Sequence, residues 1–224
     1  MDVKICSLME CSKIATGLTV IIDVIRACTT IPILFKNGAI EIVPVRTAET
    51  ALEYAKKGYI PIGEGKAGKE RKIFKYNNSP SEVYKKDFSG KKIVFRSNNA
   101  TQAILNADKA TDIILASFVN IDAVVKYIKD KKTDDITIVP LGRLGHKGPE
   151  DEFCAQAIYL QLRGESYDFE DMKEKINKNK FAKYVIEKLE RPKDISMAMK
   201  LNSYPIIPRV YTRKGRKVLR PVEV

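Results

Sequence analysis

Short apolar runs alternate with amphipathic stretches through the first 140 residues. The runs at 19–23 (TVIID), 40–45 (IEIVPV), 59–63 (YIPIG), 91–97 (KKIVFRS), 111–117 (TDIILAS) and 134–141 (DDITIVPL) each hold an unbroken apolar stretch of three or four residues. Continuity over so few residues predicts strands covered on both faces, as in a parallel or mostly parallel sheet. Helices fit between them. One runs from about Arg26 to Asn37 with Gly38 as its stop, and the next begins at the cap Thr47 and ends at Gly58. Ser79-Pro80-Ser81-Glu82 reads as a capping box with proline at the first helical position, so a short helix starts there. Further helices are predicted near 99–107, 120–130 and 150–163, and charged ones from about 170 to 202. The end, YPIIPRVYTRKGRKVLRPVEV, reads as one or two strands or an extended tail. No linker and no repeat interrupts the pattern. The expectation is one α/β domain over residues 1–224, helix-rich from about 165.

Composition narrows the picture little. The chain is 44% hydrophobic and 30% charged, the balance of a globular protein with a core. No apolar run approaches the roughly 18 residues of a membrane span, and the first residues do not read as a secretory signal, so a cytoplasmic protein is expected. Cys6, Cys11, Cys28 and Cys154 form no CxxC pair and read as reduced thiols; with one histidine, His146, a zinc site is not expected. Lys and Arg exceed Asp and Glu by 12. The basic residues are spread along the chain apart from TRKGRK at 212–217, and no nucleic-acid motif accompanies them, so a small anion is the better partner. No heptad or apolar patch decides whether the chain forms a homo-oligomer.

Polar residues collect at four strand-to-helix junctions, where open α/β sheets bind their ligands. The first, DVIRACTT, holds Asp23, Arg26, Thr29 and Thr30. The carboxylate can bind a hard cation such as magnesium or cap the helix; the guanidinium, hydroxyls and free N–H groups make a phosphate or sulfonate cradle, unless Arg26 serves only a surface ion pair. The second, GEGKAGKERK, places Glu64 between glycines with Lys66, Lys69, Arg71 and Lys72 beyond, a set that also suits a solvated loop. The third, RSNNATQ, offers Asn98, Asn99 and Thr101 as hydrogen-bonding groups or as N-caps. The fourth, PLGRLGHKGPEDE, brings Arg143, His146, Glu150 and Asp151. Its acids either complement a helix dipole or complete a metal site with Asp23 and Glu64, and His146 is a general acid, a phosphate contact or neither.

Taken together, VIIDVIRACTTI, NGAIEIVPV, the GE at 63–64, NSP at 78–80, KKIVFRSNNATQAI, ASFVNIDAVV and GPEDEFCAQAIY resemble the 2-phosphosulfolactate phosphatase family, in family order over about residues 18–162, with YPIIPRV near the end. The resemblance implies a three-layer α/β/α fold and magnesium-dependent hydrolysis of a phosphate monoester, (2R)-2-phospho-3-sulfolactate, on the route to coenzyme M. Mg2+ would then be held by Asp23, Glu64 and one or both of Glu150 and Asp151. Asp23, Arg26, Glu150 and Asp151 would be catalytic, with Thr29, Thr30, Asn98, Asn99, Thr101 and Arg143 holding substrate. Whether Asp23 or a metal-bound water attacks phosphorus stays open. The alternatives are a phosphatase for another small phosphorylated acid and a non-catalytic anion binder.

This chain departs from the family pattern in two places. T-N-G-T-R-A is usual where it has Ser97 to Ala103, so Ala100 replaces glycine and Gln102 replaces arginine. C-A-G-T is usual where it has Pro140 to Arg143. Both departures suggest drift at positions facing the substrate, with Arg143 or Arg96 restoring the lost charge.

Overall fold

The computed structural model describes residues 1–65, 68–179, 183 and 191–223; Lys66 and part of the charged helical region expected at 170–202 lie outside them. The chain folds as β1 (Asp2–Ile5), α1 (Cys11–Ile14), β2 (Gly17–Ile22), α2 (Ala27–Lys36), β3 (Glu41–Pro44), α3 (Ala48–Lys56), β4 (Ile60–Gly63), α4 (Lys69–Ile73) and α5 (Pro80–Val83). It continues through β5 (Lys92–Arg96), α6 (Ala100–Asn106), β6 (Ala110–Ala116), α7 (Ile121–Lys131), β7 (Asp135–Pro140) and α8 (Pro149–Leu162), then α9 (Phe169–Asn177), α10 (Pro192–Ala198), β8 (Ile206–Arg213) and β9 (Arg216–Glu223).

The strands form one nine-stranded sheet in the order β1-β7-β2-β6-β8-β9-β3-β5-β4. Two parallel blocks, β1-β7-β2-β6 and β3-β5-β4, are joined through the antiparallel β8–β9 hairpin. The hairpin meets each block at one antiparallel register, Ile114↔Arg209 and Ile42↔Leu219. Alternation along β2 divides the core. Leu18, Val20 and Ile22 pack with α7, α8 and α9, while Ile21 packs with α2 and α6 on the other face. The sheet is therefore the middle of three layers, and burial on both faces is why its strands read as unbroken apolar runs.

Local chemistry explains several elements. Thr47 caps α3 by accepting from the Thr50 N–H at 3.2 Å. Inside α2, Pro32 has no N–H to give the Cys28 carbonyl, and the Ser117 hydroxyl donates to that carbonyl at 3.0 Å instead. The basic segment 212–217 is the hairpin turn rather than a loose tail. Lys217 Nζ donates to the carbonyls of Ile104 and Ala107 at 2.9 and 3.1 Å, closing the C-terminal end of α6.

Two expectations are corrected. Cys6 and Cys11 are joined in a disulfide, and only Cys28 and Cys154 are free thiols, both buried. The pairing follows from a tight turn, with Leu8 at φ +81°, that returns the chain on itself between β1 and α1. Neither β1 nor α1 was legible in the hydrophobic pattern. The capping box at Ser79 is not made: α5 begins at Pro80 as expected, but the Ser79 side chain makes no cap bond. Its hydroxyl donates to Asp194 instead, while Glu82 accepts from the Asn77 N–H and pairs with Arg191.

Candidate active site

The turns after β2, β4, β5 and β7 meet at a cleft of about 400 Å³. Asp23, Glu64, Glu150 and Asp151 all line it, together with Arg26, Arg71 and Arg143. Gly63 and Gly142 make the close approach of these turns possible. Gly63 holds φ +151° with the Arg96 carbonyl 2.2 Å from where a Cβ would sit, and Gly142 holds φ +62° with the His146 carbonyl at the same distance. Any side chain at either position would push two cleft segments apart.

Each acid is supported differently. Asp151 spans two junctions: its Oδ1 accepts from the Val24 N–H at 2.8 Å and its Oδ2 from the Gly142 N–H at 2.9 Å. Glu64 accepts from Asn78 Nδ2 at 2.9 Å and from the Asn98 N–H at 3.0 Å. Asp23 accepts a long contact, 3.4 Å, from the Ala27 N–H, and the nearby Ala100 N–H also favours its charged form. Burial, then the charges of Glu64 and Glu150, push the Asp23 carboxyl up to about 7. Burial raises Glu150 as well, and burial with the neighbouring acids holds Asp151 well above the usual carboxylate range. Arg143 partly offsets this at Glu150. The cleft thus crowds three acids with raised pKa values, Asp23, Glu150 and Asp151, beside three lining arginines.

That donor set suits a hard cation, with one restriction. Among the described residues no three acidic, histidine or cysteine side chains stand ready as a cage for a metal ion. Glu64 and Asp151 have both carboxylate oxygens committed to hydrogen bonds, which leaves Asp23 and Glu150 as the acids freest to ligate. Magnesium is commonly held in that way, by one or two carboxylates, retained water and substrate phosphate.

Not every sequence-predicted residue reaches the cleft. Asn98 and Asn99 line it, and Asn99 Nδ2 also ties the third junction to the fourth through the Gly142 carbonyl at 3.0 Å. Thr29, Thr30 and Thr101 do not line it. The Thr29 hydroxyl donates to the Val24 carbonyl at 2.8 Å and that of Thr30 to the Arg26 carbonyl at 3.0 Å. Thr101 exchanges hydrogen bonds with Ser97, its N–H donating to Ser97 Oγ and its Oγ1 accepting from the Ser97 N–H. All three thus lie outside the cleft lining and are hydrogen-bonded within their own turns. His146 is exposed on a tight turn with Arg143, outside the cleft lining. Lys69 and Lys72 stay out of it too, whereas Arg71 on α4 enters.

The departures also fall differently from expectation. Gln102 faces Arg46, accepting at 3.1 Å from its guanidinium, and lies outside the cleft. Arg96 turns to the carbonyls of Arg46 and Glu64, so it supplies no replacement charge; Arg143 does line the cleft. Ala100 contributes its backbone N–H to Asp23, which a glycine would do equally. Sequence reasoning missed Asp194, whose carboxylate pairs with Arg26 at 2.9 Å from a helix far along the chain. Nothing in its local sequence, an acid in a charged helix start, signals that role.

The family profile described as 2-phosphosulpholactate phosphatase matches residues 4–213. A protein of Thermotoga maritima named probable 2-phosphosulfolactate phosphatase is 42% identical over 153 residues, 68% of this chain and 66% of that protein, just short of two thirds of its length. Proteins of the same name from Thermoplasma volcanium and Thermoplasma acidophilum are 34% identical over 195 residues and 32% over 212, covering 89% and 91% of their lengths and 86% and 92% of this chain. The chain belongs to the 2-phosphosulfolactate phosphatase family, a family of phosphoric monoester hydrolases.

Proposed function

We propose that the protein is a magnesium-dependent phosphatase that hydrolyses 2-phosphosulfolactate to sulfolactate and phosphate, a step toward coenzyme M. The observation that carries the reading is the single cleft that gathers four carboxylates and three arginines from separate junctions. A substrate bearing phosphate, sulfonate and carboxylate needs several cationic groups at once, and Arg26, Arg71 and Arg143 approach from three elements. Bound through Asp23 and Glu150, Mg2+ would neutralise charge on the phosphate oxygens. Arg26 would take the remaining phosphate charge through charge-assisted N–H contacts, and Asn98 and Asn99 would fix orientation. Asp151 holds the first and fourth junctions at a constant spacing through its two backbone contacts. Asp23 either attacks phosphorus, giving an acyl phosphate that water then cleaves, or accepts the proton of an attacking water. A catalytic cytoplasmic protein is consistent with a chain in which no described helix is long and apolar enough to cross a membrane.

The test is phosphate release from 2-phosphosulfolactate, with Mg2+ and with EDTA, for wild type and Asp23→Asn. Release requiring both the ion and the carboxylate supports the mechanism. Release indifferent to both sinks it, and faster release from another phosphorylated acid moves the substrate assignment.

A further inference from the structure

Arg26 is buried to 9% exposure, and among the described residues its side chain has one hydrogen-bond partner, Asp194 on α10. Asp194 is fully buried and divides its two oxygens between two tasks. Its Oδ2 accepts from Arg26 Nη1 at 2.9 Å. Its Oδ1 accepts from Ser79 Oγ at 2.8 Å, the Ser81 N–H at 2.9 Å and Ser81 Oγ at 2.6 Å. The same 77–82 segment reaches the cleft on its other side, where Asn78 donates to Glu64. One carboxylate from the C-terminal part of the chain therefore holds both the arginine and the segment that supports an acid opposite it.

We propose that Asp194 is a positioning residue for this reaction, fixing the Arg26 guanidinium so that its remaining N–H groups face the anion. The inference rests on the phosphatase reading of the cleft. A guanidinium presents five donors in one plane. Clamping one Nη against a buried carboxylate sets that plane before the anion arrives, so the ordering cost of a long side chain is not met on binding. The serine donors keep Asp194 itself from turning. On this account the C-terminal helix is part of the active site although it contributes no residue to the cleft lining.

The test exploits the division of labour at Asp194. In Asp194→Asn the amide oxygen retains the serine donors, while the amide NH2 faces Arg26 Nη1, donor against donor, so the arginine alone is released. Two readouts are measured: kcat and KM for phosphate release, and the thermal shift produced by inorganic phosphate. The expected result is a loss in kcat/KM of about 10²-fold, the usual effect of a misplaced contact, with a reduced phosphate shift. The same substitution in an Arg26→Met background should cost nothing more. Wild-type kcat/KM in Asp194→Asn, or an equal loss in the Arg26→Met background, overturns the proposal. Arg26→Lys leaves Asp194 and its serines intact and keeps the experiment decisive if Asp194→Asn does not fold. Its ammonium keeps the charge but lacks the planar fork that reaches Asp194 through one Nη and the anion through the other nitrogens, so a loss near that of Arg26→Met supports the proposal and wild-type activity overturns it. If wild type releases phosphate from no ester, the phosphatase reading fails by itself, and the phosphate shift still decides on Asp194: equal shifts in wild type and Asp194→Asn overturn it.

Discussion

Replacing Asp23 with asparagine should stabilise the protein while abolishing its activity. The side chain is 5% exposed and its carboxyl is pushed from 3.8 up to about 7, first by burial and then by Glu64 and Glu150. In the unfolded chain the same group ionises near its ordinary value. Between about pH 4 and pH 7 the unfolded state therefore binds fewer protons than the folded one, and stability falls as pH rises through that window. The full shift corresponds to about 4 kcal/mol, of which about 3 kcal/mol falls between pH 5 and pH 8. For a chain of this size that is a drop of about 6–12 °C in Tm. Asp23→Asn removes the titrating group and keeps an oxygen to accept from the Ala27 N–H. Thermal unfolding in EDTA at pH 5 and pH 8, for both proteins, measures it. The wild type should lose Tm on going to pH 8, and the variant should lose less, the remaining fall coming from the raised Glu150 and Asp151, and melt higher at pH 8. Parallel pH profiles, or a variant that melts lower at pH 8, would show that Asp23 is not a strained carboxylate. Loss of phosphate release alongside a gain in stability would identify it as a charge kept for function.

Three further outcomes follow from particular contacts. Thr29→Val leaves the Val24 carbonyl without its donor and should cost about 1–3 kcal/mol in denaturant unfolding, with kcat/KM within twofold of wild type; a selective loss of activity would restore the hydroxyl as an anion ligand. Gln102→Arg restores the residue usual in the family, yet position 102 faces Arg46, so kcat/KM for 2-phosphosulfolactate should not change; a clear gain would mean that the side chain reaches the cleft. Cys6→Ser opens a ring with a sequence separation of 5 and should lower stability by about 2 kcal/mol under non-reducing conditions, with no difference under reductant; equal stability in both conditions would count against the disulfide.

The legible parts of the fold are those where burial is two-sided. β2, β5, β6 and β7 each carry an apolar stretch where helices cover both faces, and the sequence cannot hide that. β1 escapes because its four residues are mostly exposed and its place beside β7 is fixed by backbone pairing, Asp2↔Asp135 onward. The C-terminal hairpin is legible as strands but not as the piece that joins the two parallel blocks. That position rests on registers with Ile114 and Ile42, residues far away in sequence, and no local pattern encodes it.

The site divides along the same line. Acids, an arginine and asparagines at the ends of apolar runs stand out because a turn alone does not need them, and those residues do reach the cleft. What the pattern cannot supply is the partner of each. Hydroxyls near a helix start always have backbone carbonyls within reach, and at Thr29 and Thr30 that local bond takes the hydroxyl before any ligand can. Four acids of similar appearance end with unequal support: Asp151 and Glu64 are each held by two donors at 3.0 Å or less, whereas the Ala27 contact to Asp23 stretches to 3.4 Å. A cation site requires such inequality. A carboxylate fully satisfied by N–H groups gains little from an ion, and one left short of donors in a buried, crowded cleft gains a great deal. Which acid is left short depends on where Val24, Gly142, Asn78 and Asn98 come to rest, and only the folded chain decides that.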